Sequence, residues 1–475
     1  GSSHFGSSHF GVRPARGAPA PRRPAAMFQL PDWPPWALYT FLGLAGFTAA
    51  VAVVQTVRDR DKGEGAVAES KPQGAKAPDF RKFQREYLVV YAIIMMADWF
   101  QGTNMYTLYS SYGVNISALF LSGFLSGAFW AGPVGVWIDR YGRRSSCIVY
   151  LVLEILINIC EHFNNFAILW VSRFLGGITT CILFTGFESW MVAEHRKRGF
   201  PEAWVADTFS KASFINGLSA IVAGILAQVC ADHLGEIGPF QAAIALTALA
   251  LVFVMFWPEN FGAQDSKDAD SKAAAWNLLR TDRKAVLLGS VNALFEGSMY
   301  SFVFMWVPTM LGALQGGKLP TGLVFASMMT CISLGGILFS PSMLLSVAPA
   351  EYLGVGCFVV GACALLVPVF CSGVVPILSA FLVFECCVGV FQPCGGVLRS
   401  KVIPDELQGS VMNMFRIPLN SLVVVGTLLT DYYPARFVFG IIALWMLLGA
   451  ALQVMVISAL AEGKREVATN GKKAE

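Results

Sequence analysis

Eight ionisable side chains stand inside long apolar runs of this sequence: Asp98, Glu154, Arg173, Glu188, Lys211, Glu296, Glu385 and Arg416. A charge in hydrocarbon costs about 2.5–3.5 kcal/mol or more, so each needs an opposite charge, a proton or a watery cavity. Arg173 and Arg416 point to anion chemistry, because a guanidinium stays charged when buried and its planar fork suits an oxyanion. Both can equally form structural ion pairs with Asp98, Glu296 or Glu385. Lys211 lies near the end of its run and can snorkel to the interface. Glu188, shortly before Glu194-His-Arg-Lys-Arg198, fits a gate as well as a binding site, and Glu154 fits a structural partner for an arginine. Metal and covalent chemistry lack residues. The eleven cysteines show no CxxC spacing, and the five histidines form no HxxxH or HExxH pair. No nucleophile, base and orienter assemble from the polar residues, so neither an enzyme nor a cofactor is expected.

The elements that must hold these charges are membrane helices. The chain has 475 residues, 55% hydrophobic and 14% charged, whereas soluble domains carry about a quarter charged residues. Apolar runs of about 20 residues, long enough to cross a bilayer, recur along it. A net charge of +3, with no basic stretch interleaved with aromatics, excludes a nucleic-acid partner. Residues 1–35 are expected to be a disordered or non-native segment and 36–57 an extra N-terminal helix. A charged linker follows at 58–83. Twelve spans then divide into a six-helix bundle at 84–257, a central loop at 258–284 and a second bundle at 285–460, before a tail at 461–475. The predicted fold is an all-α polytopic membrane protein.

Lys and Arg mark the cytoplasmic side of membrane proteins. Counted in alternate loops, one side collects Arg58, Arg81, Arg143, Arg144, Lys197, Arg283, Arg399, Lys401 and Lys464, and the other holds Lys318 and Arg436. The asymmetry predicts that the central loop and C-terminus are cytoplasmic. A sequon at Asn115-Ile-Ser117 falls on the outer side, close to the membrane.

Between spans 2 and 3 runs Gly135-Val-Trp-Ile-Asp139-Arg140-Tyr-Gly142-Arg143-Arg144. Gly135 and Gly142 permit close approach and a tight turn, and Asp139 can accept charge-assisted hydrogen bonds from arginines or a helix N-terminus. The run resembles the GxxxD(R/K)xGR(R/K) gating loop of the major facilitator superfamily, and the loop between spans 8 and 9 lacks a counterpart. The resemblance implies two six-helix bundles that rock about a central site, with spans 1, 4, 7 and 10 lining the cavity. Asp98, Arg173, Glu188, Glu296 and Glu385 lie on those four spans. At 1.5 Å per residue, Glu296 and Glu385 fall near the midplane, Asp98 slightly outside it and Arg173 in the outer third. Arg173 and Glu188, fifteen residues apart, share a helix face at different depths and cannot pair.

The resemblance narrows further. Ala97-Asp98-Trp99-Phe-Gln, Arg173-Phe-Leu-Gly-Gly, Phe187-Glu188-Ser-Trp190 and Lys211-Ala-Ser-Phe-Ile-Asn216 in the first half are similar to the molybdate-anion transporter family. In the second half Ala293-Leu-Phe-Glu296, Phe304-Met-Trp-Val-Pro308, Arg399-Ser-Lys-Val-Ile-Pro404 and Asn413-Met-Phe-Arg416-Ile-Pro418 agree in type and order. This implies uptake of molybdate, a tetrahedral dianion, by a monomer in the plasma membrane whose partners are the oxyanion and membrane lipid. Arg173, Arg416, Asp98 and Asn216 are then the candidate substrate ligands. Glu296, Glu385 and Glu188 are the candidate proton-coupling groups, since a mid-membrane carboxyl can bind a proton as the anion binds a guanidinium. Two alternatives remain: a transporter of a neutral solute such as a sugar, with structural arginines, and a transporter-like receptor, against which the short tail speaks.

Overall fold

The computed structural model describes residues 33–61, 77–201, 203–261, 267–340, 343–404 and 407–474. The expectations for 1–32 and for the linker at 62–76 lie outside the described residues. Fourteen α-helices form: α1 Pro35–Asp61, α2 Ala77–Tyr112, α3 Ile116–Tyr141, α4 Arg143–Cys160, α5 Phe166–Lys197, α6 Ala203–Leu234 and α7 Gly238–Val254 lead to α8 Lys267–Thr281. Then come α9 Arg283–Ala313, α10 Thr321–Leu338, α11 Ala350–Phe370, α12 Val374–Val402, α13 Gln408–Tyr432 and α14 Ala435–Ala474, with one 3-10 turn at Leu344–Ser346. Among the described residues there is no strand. The central loop contains the surface helix α8, and α14 runs on through most of the charged tail.

Among the described residues eight helices are long and apolar enough to cross a membrane by length and composition, α1 among them, and α3, α7 and α13 carry shorter apolar stretches. Also short of that mark fall α2, interrupted by Asp98, Gln101 and Asn104, and α4, which carries Arg143, Arg144 and Glu154. Gln101, Asn104 and Glu154 are buried polar side chains of these two helices. Local signals set the starts: Asn115 accepts from the Ala118 amide at 2.9 Å, Asn165 from Ala167 at 3.0 Å and Asp282 from Lys284 at 2.8 Å. Each satisfies an amide that the first helical turn leaves without a partner. The sequon asparagine is thus the N-cap of α3.

The helices gather into two sets of six, α2–α7 and α9–α14, each with its own aromatic core. Trp190 stacks on Trp257 at 3.7 Å in the first, and Phe295 on Phe391 at 3.6 Å in the second. The connections with most of the Lys and Arg share one end of the bundle, the basic face. α1 packs along α10. Trp33 Nε1 donates to Asp232 at the opposite face (2.9 Å), and Arg58 contacts the Met343 sulfur at the basic face (3.7 Å).

In lipid no hydrophobic force drives one helix onto another, so small residues that admit close backbones matter most. Where α6 crosses α10, a Cβ on Gly322 would collide with the Gly224 carbonyl, and one on Gly224 would sit 2.8 Å from the Gly322 carbonyl. This glycine pair is the tightest crossing between the two sets.

Candidate functional site

In the first set the polar residues of α2, α4 and α5 form one buried cluster. Glu154, Asn158 and Glu161 recur at the spacing of one helix face and are all buried. Gln101 Nε2 donates to Glu154 at 3.2 Å. Glu161, wholly buried, accepts on one oxygen from Ser172 Oγ at 2.6 Å, Arg173 Nη2 at 2.8 Å and Tyr109 Oη at 3.1 Å. The Arg173 guanidinium also lies 6.0 Å from the Tyr109 ring centroid. Of the two roles the sequence left open for Arg173, the structure shows an ion pair, with Glu161 rather than Asp98, Glu296 or Glu385. Asp98 is half-buried beside this cluster, in the field of Glu154 and Arg173. Glu161 escapes a search for mid-span charges because it sits at the end of α4, yet the 154, 158, 161 spacing marks it.

Asn216 accepts from Trp99 Nε1 at 2.8 Å, and the Trp99 ring packs 5.7 Å from Phe325 of α10. Lys211 donates to Asp207 at 2.7 Å and Gln84 at 2.9 Å, so it is bonded within the protein as well as placed near the basic face. Glu188 is exposed on α5, on the side that faces Tyr87 and Tyr91 of α2.

In the second set Glu296 accepts from Asn292 at 2.9 Å, one turn back on α9. Two cations act on it, Arg416 of α13 and Arg399 of α12. Arg416 is exposed and its charge also reaches Tyr300 of α9 and Cys181 of α5, which places it where the two sets face each other. Cys181 is eight residues beyond Arg173 on α5, about 12 Å along the helix axis. The structure therefore keeps Arg173 and Arg416 at different depths.

Arg399 was counted with the topology-setting charges, but the structure gives it another position. A Cβ on Gly395 would lie 3.2 Å from Arg399 Nη1, and one on Gly396 would lie 3.8 Å from Nη2. The guanidinium thus folds back along α12 over two glycines that leave it room. Helical side chains lean toward the helix N-terminus, and in α12 that direction is away from the basic face, toward Glu296. Among the described residues neither Arg399 nor Arg416 has an ion-pair partner. Glu385 is 3% exposed in the core of α12 and has no hydrogen-bond partner among the described residues.

Contacts between the two sets cluster toward the face opposite the basic loops. Lys318 pairs with Asp232 at 2.7 Å, Gln228 Oε1 accepts from the Gly322 amide at 2.9 Å, and the Ser117 and Thr430 hydroxyls lie 3.4 Å apart. Phe120 and Phe124 of α3 pack on Phe304 and Tyr300 of α9, with ring centroids 5.0–5.7 Å apart. The Lys318–Asp232 pair is exposed and individually weak. Sealing comes from the rings and the glycine crossing.

At the basic face the loop between α3 and α4 docks on the end of α7. Gly142 is the single residue between α3 and α4 and has φ +106°. Glu259 accepts from the Arg144 amide at 2.8 Å and from the Ser145 amide at 3.0 Å and hydroxyl at 2.6 Å. It thereby caps α4 where the helix dipole favours a negative charge. Arg144 Nη2 donates to the Met255 carbonyl at 2.6 Å, and the Arg143 amide to that of Asn260 at 2.9 Å. Arg140 lies 5.6 Å from the Tyr141 ring, and Gly135 has open space where a side chain would stand. The Asp139 side chain lies outside the described residues. A Cβ at Gly142 would meet the Glu259 carboxyl at 2.7 Å. With the positive φ, Gly142→Ala should cost about 1–3 kcal/mol. The expected result is a lower melting midpoint for the purified protein; an unchanged midpoint would show that Glu259 does not hold the loop there.

A bundle of two six-helix sets with charged groups where the sets face each other defines a multi-pass membrane transporter of the major facilitator type, not an enzyme. The chain belongs to the molybdate-anion transporter family of that superfamily. It is 34% identical over 408 residues to a molybdate-anion transporter of Xenopus laevis, covering 81% of this chain and 89% of that one. It is 29% identical to a Danio rerio protein of the same name, covering 82% and 87% of the two chains. A family model described as sugar transporters with 12 transmembrane helices matches residues 43–391. Among solved structures, the nucleoside transporter NupG is similar with a TM-score of 0.64 at 13% identity, over 79% of this chain and 99% of that one. A bacterial homolog of the human lysosomal transporter Spinster, inward-facing and unoccupied, gives 0.63 at 11% identity, over 82% and 99%. These two share the fold.

Proposed function

We propose that this chain takes up molybdate by alternating access, with the anion held between the two helix sets by Arg416 and Arg399. The observation that carries this reading is that Arg416 is exposed on α13, which packs on α3 of the first set and α9 of the second, that Arg399 folds back over Gly395 and Gly396 away from the basic face, and that neither has an ion-pair partner among the described residues. Two guanidinium groups without an ion-pair partner among the described residues put positive charge at membrane depth, which a dianion would neutralise and a sugar would not. The relatives named molybdate-anion transporters support the choice of oxyanion. Arg173, Asp98 and Asn216 stand further along the same path. Arg173, with its side chain 14% exposed and paired to Glu161, contributes first to the architecture of the first set.

Sidedness follows from the positive-inside rule, with the basic face in the cytosol and the protein, a monomer, in the plasma membrane. The contacts near Phe304 and Gly322 then close the path to the outside, and uptake requires them to part. Proton coupling falls to Glu296, to the buried and unpartnered Glu385, and to Glu188, because a carboxyl in such surroundings exchanges charge for a proton at least cost.

Uptake of labelled molybdate into vesicles holding the reconstituted protein, under imposed pH gradients, tests cargo and coupling together. An inward proton gradient is expected to accelerate uptake, and Glu296→Gln to make the rate indifferent to that gradient. A Glu296→Gln rate that still follows the gradient would remove Glu296 from the coupling step. The family description favours a second reading, a sugar as cargo. Excess sulfate should compete with molybdate and excess hexose should not; the reverse pattern would replace the oxyanion reading.

A further inference from the structure

We infer that Trp99 is a positioning residue that sets specificity: it fixes the side-chain amide of Asn216 so that only N–H donors face the path, which selects oxyanions that carry no proton. The inference deepens the oxyanion reading above and rests on it. Trp99 Nε1 donates to Asn216 Oδ1 at 2.8 Å. An indole nitrogen can only donate, whereas a carboxamide offers a carbonyl on one side and an NH2 group on the other. The bond therefore holds the Asn216 carbonyl against the indole and turns the NH2 group the other way. The reverse orientation would set two donors against each other and leave a hydrogen bond unmade. The Asn216 amide nitrogen has no partner among the described residues, and it is not buried.

The pair stands where the two helix sets part. Trp99 of α2 packs against the buried cores of both sets, and its ring lies 5.7 Å from Phe325 of α10. About two turns along α6 from Asn216, the Gly224–Gly322 crossing brings backbone onto backbone. Near Asn216 that closeness is gone, since a Cβ on the adjacent Gly217 would meet only the Ser333 hydroxyl of α10, at 4.0 Å. α6 and α10 thus diverge from the crossing toward the basic face, and Asn216 is half-buried at the start of the gap. Its N–H groups suit molybdate or sulfate, because every oxygen of such an ion accepts. Hydrogen phosphate brings an O–H, which finds no acceptor at Asn216 and must turn elsewhere. Specificity comes from such a mismatch with the rival as well as from contacts added to the favoured ion.

Uptake of labelled molybdate into vesicles holding the full-length protein, with unlabelled sulfate or phosphate as competitor at neutral pH, tests this. Sulfate is expected to compete well and phosphate poorly. Trp99→Phe keeps a ring against Phe325 and removes the N–H, so the Asn216 amide is free to turn its carbonyl to the path. The preference for sulfate over phosphate should then fall by about fivefold or more, within the worth of one hydrogen bond. Asn216→Ala should narrow the preference as well, and the double variant should match Asn216→Ala, because Trp99 acts through Asn216. An unchanged preference in Asn216→Ala, or in a Trp99→Phe protein that still takes up molybdate, would overturn the inference. Single effects that add in the double variant would overturn it too and leave the pair as a structural tie between α2 and α6. All of those results leave the proposed function standing. Failure of both sulfate and phosphate to compete with molybdate in the parent protein would instead overturn the oxyanion reading, and this inference with it.

Discussion

Arg416→Gln is expected to lower kcat/KM for molybdate uptake by about 30-fold or more while leaving the protein folded and delivered to the membrane. Arg416 is exposed between the two helix sets, in the field of Glu296, Tyr300 and Cys181, and has no ion-pair partner among the described residues. Removing a charged group from a buried pair costs about 2–5 kcal/mol. Water around an exposed arginine screens it, so the lower end, about 2 kcal/mol or about 30-fold, is the reasonable figure. Arg416→Lys separates charge from geometry, since an ammonium keeps the charge and loses the two-pronged fork. It should recover a minor part of the rate. Arg399→Gln should weaken uptake in the same direction, because its guanidinium folds inward over Gly395 and Gly396 and has no ion-pair partner among the described residues. Uptake by Arg416→Gln at the rate of the parent protein would end the anion-site assignment.

The second large effect falls on stability. Glu161→Ala is expected to destabilise the first helix set by about 3–5 kcal/mol, the usual consequence of leaving a buried charge without its partner. Three donors, Tyr109, Ser172 and Arg173, converge on one Glu161 oxygen, so the deletion strips all three at once. Low yield or a collapsed melting midpoint is the expected readout. Arg173→Gln should fail in the same way, and the double variant Glu161→Gln with Arg173→Gln should recover part of the loss, as coupled pairs do in double-mutant cycles. If Arg173→Gln instead melts like the parent and loses only molybdate uptake, Arg173 is a substrate ligand and its pairing with Glu161 is incidental.

Much of the organisation was legible before any coordinates. Membrane helices were readable because hydrocarbon admits only segments that satisfy their own backbone, and eight helices among the described residues are long and apolar enough to cross. The motif between α3 and α4 was readable because its glycines and charges have fixed spacing, and Gly142 turns the chain at positive φ. Glu259, the residue that holds the loop, was not readable. It lies more than a hundred positions away, in a polar stretch with no periodic pattern. The inward turn of Arg399 was unreadable for a related reason. Near the end of a span a basic residue normally marks topology, and only the position of its guanidinium over Gly395 and Gly396 shows it turned inward.

By itself the sequence determined that this is a two-bundle membrane transporter, because cost in lipid acts residue by residue. Side-chain partnership is a property of neighbouring helices and their depths, which no single helix encodes. Only the tertiary structure therefore decided that Arg173 pairs with Glu161, that Arg399 folds back over Gly395 and Gly396, and that Phe120, Phe124 and the Gly224–Gly322 crossing join the two sets toward the opposite face.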